Sequence, residues 1–218
     1  ANRLGLPFYP HPKNIGGRYS VLTSVSLLPA FILGLSIKDF FIGARTASRK
    51  KAQKMANTIF RFTKQKKQVM VLFPYSLRLL RFCDWLTQLI AESLGKKGKG
   101  ITPITAVGPK DQHSLLQLFL DGPKDKWFLF LTHKERFSDP ALGKIARLQE
   151  REKNGVQKIF AKRKIPFLEF HLPELGENNL GALFFFFELV TTHLGSLLKV
   201  NPFNQPAVEE AKKSLRTC

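Results

Sequence analysis

The chain has 218 residues, 44% of them apolar, and its 35 Lys+Arg against 16 Asp+Glu give a net charge of +19. That length and apolar content suit one substantial domain, or one domain plus arms, and exclude a disordered tail. The basic excess points to phosphorylated small molecules, nucleic acid or an anionic membrane, or to no more than a solvated lysine-rich surface.

Residues 1–14 read as an extended, Pro-rich arm, and Pro7, Pro10 and Pro12 interrupt any secretory leader. Val21–Ile37 (VLTSVSLLPAFILGLSI) is free of charge and close to membrane-spanning length. Its internal Pro29, its hydroxyls and the Lys38–Asp39 pair that follows predict a buried core helix, running from about Ser20 and ended by Gly34. A second helix, amphipathic with a basic outer face, is expected over Ile37–Phe60. Short continuous apolar runs at Gln68–Ser76, Trp127–Thr132 and Phe167–Leu172 have the character of strands buried on both faces. Helical spacing fills the intervals at Leu77–Gly95, Gln112–Asp121, Ala141–Lys162, Asn179–Lys199 and Pro206–Leu215. This alternation predicts a parallel α/β sheet. Gly95–Gly100 (GKKGKG) reads as a flexible basic loop, and Phe184–Phe187 as core. Cys83 lies in an apolar helical stretch and Cys218 is the last residue. They build neither a disulfide framework nor a metal site, so a reducing cytoplasm is expected.

Four places carry candidate chemistry. In Asn14–Ser20 (NIGGRYS), paired glycines permit unusual backbone geometry and close approach to a ligand, and Arg18 adds a permanent forked cation; an ordinary turn is the plain alternative. Glu92 ends the helical pattern WLTQLIAES with Gln88 four residues before it on the same face, so it is either a general base or a solvated carboxylate paired with Lys96 or Lys97. His113 follows a Gly108–Pro109 turn with Asp111 as the expected N-cap. The helix end would favour a neutral imidazole there, and an incidental histidine is the alternative. In Asn201–Lys212 (NPFNQPAVEEAK), Gln205 and Lys212 fall on one face of a short helix, as they also would on a plain surface helix. Metal-ligand clusters, a nucleophile elbow, a P-loop and a dinucleotide fingerprint are all missing from the sequence.

In this order along the chain, NIGGRYSVLT, FCDWLTQLIAESLGKKGKGITP, AVGPKDQHSLLQLFLDGPKDK and LLKVNPFNQPAVEEAKK resemble the phosphoglucose isomerase family nearly end to end. The resemblance implies a three-layer αβα sandwich of the sugar-isomerase (SIS) type with a mainly parallel sheet and helical arms at both ends. It implies residues 1–60 as the end of a preceding domain, 61–200 as the SIS-type domain, and 201–218 as a terminal turn and helix. The implied reaction is interconversion of glucose 6-phosphate and fructose 6-phosphate, without cofactor or metal. Glu92 would move the proton between C1 and C2 through a cis-enediol, and Arg18 would stabilise the enediolate. His113 and Lys212 would assist ring opening, and Gln88 and Gln205 would position the sugar and its phosphate end. The resemblance also implies a homodimer in which the histidine crosses the interface, with neither nucleic acid nor a membrane as partner.

Two departures stand out. Asn204 takes the place of a usual Asp, and Ala207 and Ala211 stand where Gly is common. Family members carry an earlier domain whose Ser/Thr-rich loop holds the phosphate, and the chain starts after it, so weak phosphate binding and little turnover by the chain alone are expected. The competing expectations are a non-catalytic basic module for sugar phosphates or nucleic acid, and a membrane-associated protein using residues 21–37.

Overall fold

Strands with apolar side chains on both faces are stable only with helices covering both sides. A computed structural model describes residues 5, 10–134 and 137–214, and this is the arrangement it has. Four strands, β1 (Val69–Pro74), β2 (Thr102–Thr105), β3 (Lys126–His133) and β4 (Phe167–Leu172), form one sheet in the order β2-β1-β3-β4. All three pairings are parallel. β1 and β3 are central and almost wholly buried. β2 had no sequence signal: its TPIT presents one buried side chain, and Pro103 suits an edge where one donor can be spared. β4 is the other edge. Contrary to the expectation of two buried faces, Glu169 and His171 on it are exposed.

One helical layer holds α3 (Arg49–Lys64), α4 (Leu80–Leu94) and α7 (Glu177–Leu198), packed with Met70, Leu72, Trp127 and Leu129 of the sheet. The opposite layer holds α5 (Gly108–Asp121) and α6 (Pro140–Lys162), whose Phe119, Val156 and Phe160 meet Val71, Phe73, Phe128 and Phe130. This is the three-layer α/β fold expected. α7 is long and apolar enough to cross a membrane, yet Leu183, Phe187, Val190 and Leu194 on it are core residues. Burial pushes the Cys83 thiol on α4 up to about 12. Cys218, Leu215 and most of the Pro-rich arm lie outside the described residues.

The expected helix over 37–60 is two helices. α2 (Ile37–Thr46) stops at Ala47, whose ψ of 116° leaves the helical region, and the Ser48 hydroxyl accepts the Lys51 N–H to cap α3. α2 crosses α7 so closely that a Cβ on Gly43 would lie 1.7 Å from the Asn178 carbonyl oxygen, and one on Gly181 1.9 Å from that of Phe40. The apolar run before them corrects a second expectation. A 3-10 turn (Gly17–Leu22) leads into α1 (Ser24–Ile32), and Gly34 at φ +78° ends the run as predicted. However, α1 buries none of its residues. Phe31, Ile32 and Leu33 are 69%, 74% and 76% exposed, because α1 packs on the 3-10 turn and α2 rather than on the sheet. α8 (Pro206–Ser214) closes the described chain.

Candidate active site

Arg18 is buried to 2% exposure, which is tolerable for a guanidinium only if its donors are satisfied. All five are. Nε donates to Ser93 Oγ at 2.8 Å; Nη1 donates to Gln205 Oε1 at 2.7 Å and Glu92 Oε2 at 3.2 Å; Nη2 donates to the carbonyls of Pro202 at 2.8 Å and Asn204 at 3.0 Å. One side chain therefore ties together three segments distant in sequence.

The local folding that permits this is ordinary. Gly16 has φ −70° and ψ 152°, and Gly17 lacks positive φ too, so the glycine pair does not adopt a conformation closed to other residues. The turn is held by Ser20 Oγ donating to the Gly17 carbonyl at 2.7 Å and by Trp85 Nε1 donating to the Arg18 carbonyl at 3.0 Å. Beyond α7 the chain folds back so that the Pro202 ring sits 3.1 Å from where a Cβ of Gly195 would be, which brings the 202–205 carbonyls to Arg18.

Glu92 lies in the last turn of α4, where the helix C-terminus disfavours a carboxylate. Arg18 offsets that on Oε2, and Gln88 Nε2 donates to Oε1 at 3.0 Å. The side chain keeps 29% exposure, enough for a solvent-side reactant to reach it. Lys96 does not pair with this carboxylate. Its ammonium donates to the main-chain carbonyls of Glu92 at 2.8 Å and Ser93 at 2.6 Å, ending α4. Burial, then repulsion from Arg18, lowers the Lys96 pKa. With Lys99 donating to the Leu198 carbonyl at 2.9 Å, the GKKGKG loop is anchored rather than loose.

Two residues that sequence reasoning passed over belong here. Ser93 accepts from Arg18 and from the Tyr19 hydroxyl at 3.2 Å, and burial raises the Tyr19 pKa. Both adjoin residues already singled out, and that adjacency was the available signal. Lys212 joins indirectly: Glu209 Oε1 accepts from Lys212 at 3.0 Å and from Gln205 Nε2 at 3.4 Å. Arg18, Glu92, Gln88, Gln205 and, through Glu209, Lys212 thus form one connected group.

His113 stands apart. α4 runs back to the amino ends of the strands, where Thr102 N–H meets the Gln68 carbonyl, whereas α5 starts beyond the carboxyl end of β2 in the opposite layer. His113 is exposed in the second turn of α5, and no hydrogen bond joins it to the Arg18 group among the described residues. Asp111 is not the N-cap expected. Val107 is, and Asp111 reaches back to accept the Val107 N–H at 2.6 Å. No group of three or more His, Cys, Asp or Glu that could hold a metal occurs among the described residues.

No family model matches the chain. It is 36% identical over 222 residues to the glucose-6-phosphate isomerase of Methanocaldococcus jannaschii, covering 93% of this chain and 55% of that protein. With the glucose-6-phosphate isomerase of Campylobacter jejuni it shares 32% identity over 236 residues, covering 98% of this chain and 58% of that protein. The chain thus spans about half the length of the curated relatives it matches. A hypothetical protein of Thermus thermophilus superposes with TM-score 0.82 at 30% identity, covering 99% of this chain and 58% of that one. For the glucose-6-phosphate isomerase of Chlamydia trachomatis the TM-score is 0.76 at 19% identity, a likeness of fold covering 96% of this chain and 48% of that one. Over nearly its whole length this chain is similar to the C-terminal part of glucose-6-phosphate isomerases.

Proposed function

We propose that the chain supplies the proton-transfer half of an aldose–ketose isomerase acting on glucose 6-phosphate and fructose 6-phosphate. The observation that carries this reading is the Arg18–Glu92 pair, a solvent-reachable carboxylate held on one side by a buried cation and on the other by Gln88. Glu92 takes the proton from C2 of the open-chain aldose and returns it to C1 of the cis-enediol, so no proton is gained or lost overall. Arg18 acts on the developing enediolate as a fixed charge. Its donors are already engaged, so no reorganisation is needed when charge appears. Gln205 and Gln88 orient the sugar, and Lys212, on the solvent side of Glu209, assists ring opening.

His113 cannot serve this cluster from its own chain, at the far end of β2 and in the opposite layer. Its exposure supports a homodimer in which each protomer's His113 completes its partner's site. Such a dimer would work in the cytoplasm, as expected for chemistry that consumes phosphorylated sugars.

The test replaces the matching segment of the Methanocaldococcus jannaschii enzyme with this chain and follows deuterium entry from D2O into fructose 6-phosphate. The expected result is exchange that Glu92→Gln reduces by about a hundredfold or more, with the fold intact. A folded chimera without exchange, or one indifferent to Glu92→Gln, overturns the assignment. Mixing His113→Ala and Glu92→Gln chimeras checks the shared site: restored exchange is expected if subunits trade, and none if His113 acts within its own chain.

A further inference from the structure

At the carboxyl ends of the strands, opposite the Arg18 cluster, the apolar runs of the sheet give way to polar residues. β1 continues into Tyr75 and Ser76, β3 ends in Thr132 and His133, and β4 carries His171 near its end. Register keeps these level, with Pro74 beside Leu131 and Thr132 beside His171. The strand order β2-β1-β3-β4 reverses direction between β1 and β3. At such a switch point the connections leave to opposite sides and open a crevice beyond the strand ends, where ligands of open α/β sheets bind.

The crevice is there. It measures about 570 Å³, the size of a small-metabolite pocket, and is lined by Tyr75, Thr132, His133 and His171 from the sheet and by Arg147 and Lys153 from α6. An adjoining hollow of about 420 Å³ shares His133 and Lys134 and adds Arg78. Lys153 is buried and held by Glu169 at 2.5 Å, a pair set into the wall. Glu150 lines the larger hollow against Lys134 and Arg147, and Glu174 lines the adjoining one against Arg78, so the described lining keeps a cationic surplus. Further polar side chains surround it: His133 Nε2 and Ser76 Oγ lie 2.8 Å apart, as do His171 Nδ1 and Thr132 Oγ1. Gly143, in the first turn of α6, completes the wall at a helix end that favours negative charge, with Asp139 occupying one of its amides.

We propose that this crevice binds a small phosphate monoester, at a second site at the opposite end of the sheet from the same chain's Glu92, and the proposal does not rest on the isomerase assignment. A dianionic phosphate offers acceptors enough for a guanidinium, an ammonium, imidazoles and a hydroxyl arranged around one hollow. A nucleic acid fits less well. Tyr75 is stacked on Phe130 in the core with its hydroxyl on Gln112 at 2.9 Å, so it offers no open face on which a base could stack.

The test follows the imidazole NMR signals of His133 and His171 at fixed pH while inorganic phosphate, then glycerol 3-phosphate, is added to the chain. Saturable shifts at both histidines are expected, unchanged by Glu92→Gln and absent when chloride replaces phosphate at equal ionic strength. Lys134→Glu/Arg147→Glu, both exposed positions, should weaken binding by about tenfold or more. Glu150→Gln should tighten it by about threefold. The proposal falls if the histidines do not respond, if chloride moves them equally, or if the charge reversal leaves the affinity unchanged. It falls equally if a short single-stranded oligonucleotide shifts these signals while both phosphates do not.

Discussion

At the amino end of the sheet Arg18 is sealed in and spends all five donors on three chain segments; at the carboxyl end Arg147 stands exposed on the wall of an open crevice. The same residue type is structural in one place and available in the other. Burial makes the difference. A cation removed from water must be fully paired before the chain can fold around it, so its neighbours are bound to it energetically. An exposed cation remains hydrated, and its loss costs the fold little. The cluster around Arg18 should therefore respond to mutation as a unit, and the crevice residue by residue.

The largest expected effect is Arg18→Ala. It strands the Glu92 carboxylate, the Gln205 amide oxygen and two carbonyls, and should cost about 3–5 kcal/mol in urea unfolding. A loss below about 1 kcal/mol would break the comparison, since Arg18 would then be no more structural than a surface arginine.

Next comes Glu188, buried on α7 and near enough to Tyr19 for its charge to act on that hydroxyl. Desolvation pushes its carboxyl from 4.5 up to about 8, and its Oε1 lacks a hydrogen-bond partner among the described residues. A raised acid binds its proton more tightly in the folded chain than in the unfolded one. Its contribution to stability is therefore complete below about pH 4.5 and is lost as pH rises to about 8, at on the order of 1 kcal/mol per pH unit. Glu188→Gln should remove that slope, so wild type and variant diverge steadily in unfolding midpoint between pH 5 and pH 8. Parallel curves would mean that Glu188 finds a partner when ionised.

At the crevice, Lys153→Met leaves Glu169 without its cation, and Glu169 is 35% exposed. The expected cost is about 1–2 kcal/mol, reduced from the fully buried case by solvent screening, and Lys153→Met/Glu169→Leu should recover most of it. The smallest effects belong to Arg147→Ala in the crevice and Phe31→Ser on α1, each within about 0.5 kcal/mol of wild type by thermal melting, because neither position buries its side chain. A larger loss at Phe31 would show that the apolar face of α1 is covered in solution.

Much of the architecture was legible because β1 and β3 are buried on both faces and so carry unbroken apolar runs, while α4, α6 and α7 follow helical spacing to within three residues of their observed ends. β2 escaped notice because an edge strand with Pro103 at its middle needs no apolar run. The break between α2 and α3 was hidden by helix-compatible residues on either side of Ser48, and only the cap reveals it. The burial of α1 was misjudged because periodicity says that a face is apolar without saying what covers it. In the site, Arg18, Glu92, Gln88 and Gln205 were legible as types at suggestive spacings. Their meeting was not, because residues 18, 92 and 205 are joined by contacts that cross 74 or more positions of chain.

By itself the sequence determined the layer class, the central strands, the family likeness and the candidate residues, because each depends on short-range pattern or on local chemical type. The tertiary structure alone decided that Arg18 is saturated, that Lys96 ends α4 instead of pairing with the Glu92 carboxylate, that His113 lies at the far end of β2, and that strand order opens a crevice between β1 and β3. Each of these depends on which segments become neighbours, and that is settled by how the two apolar faces of the sheet are covered rather than by any stretch of chain read alone.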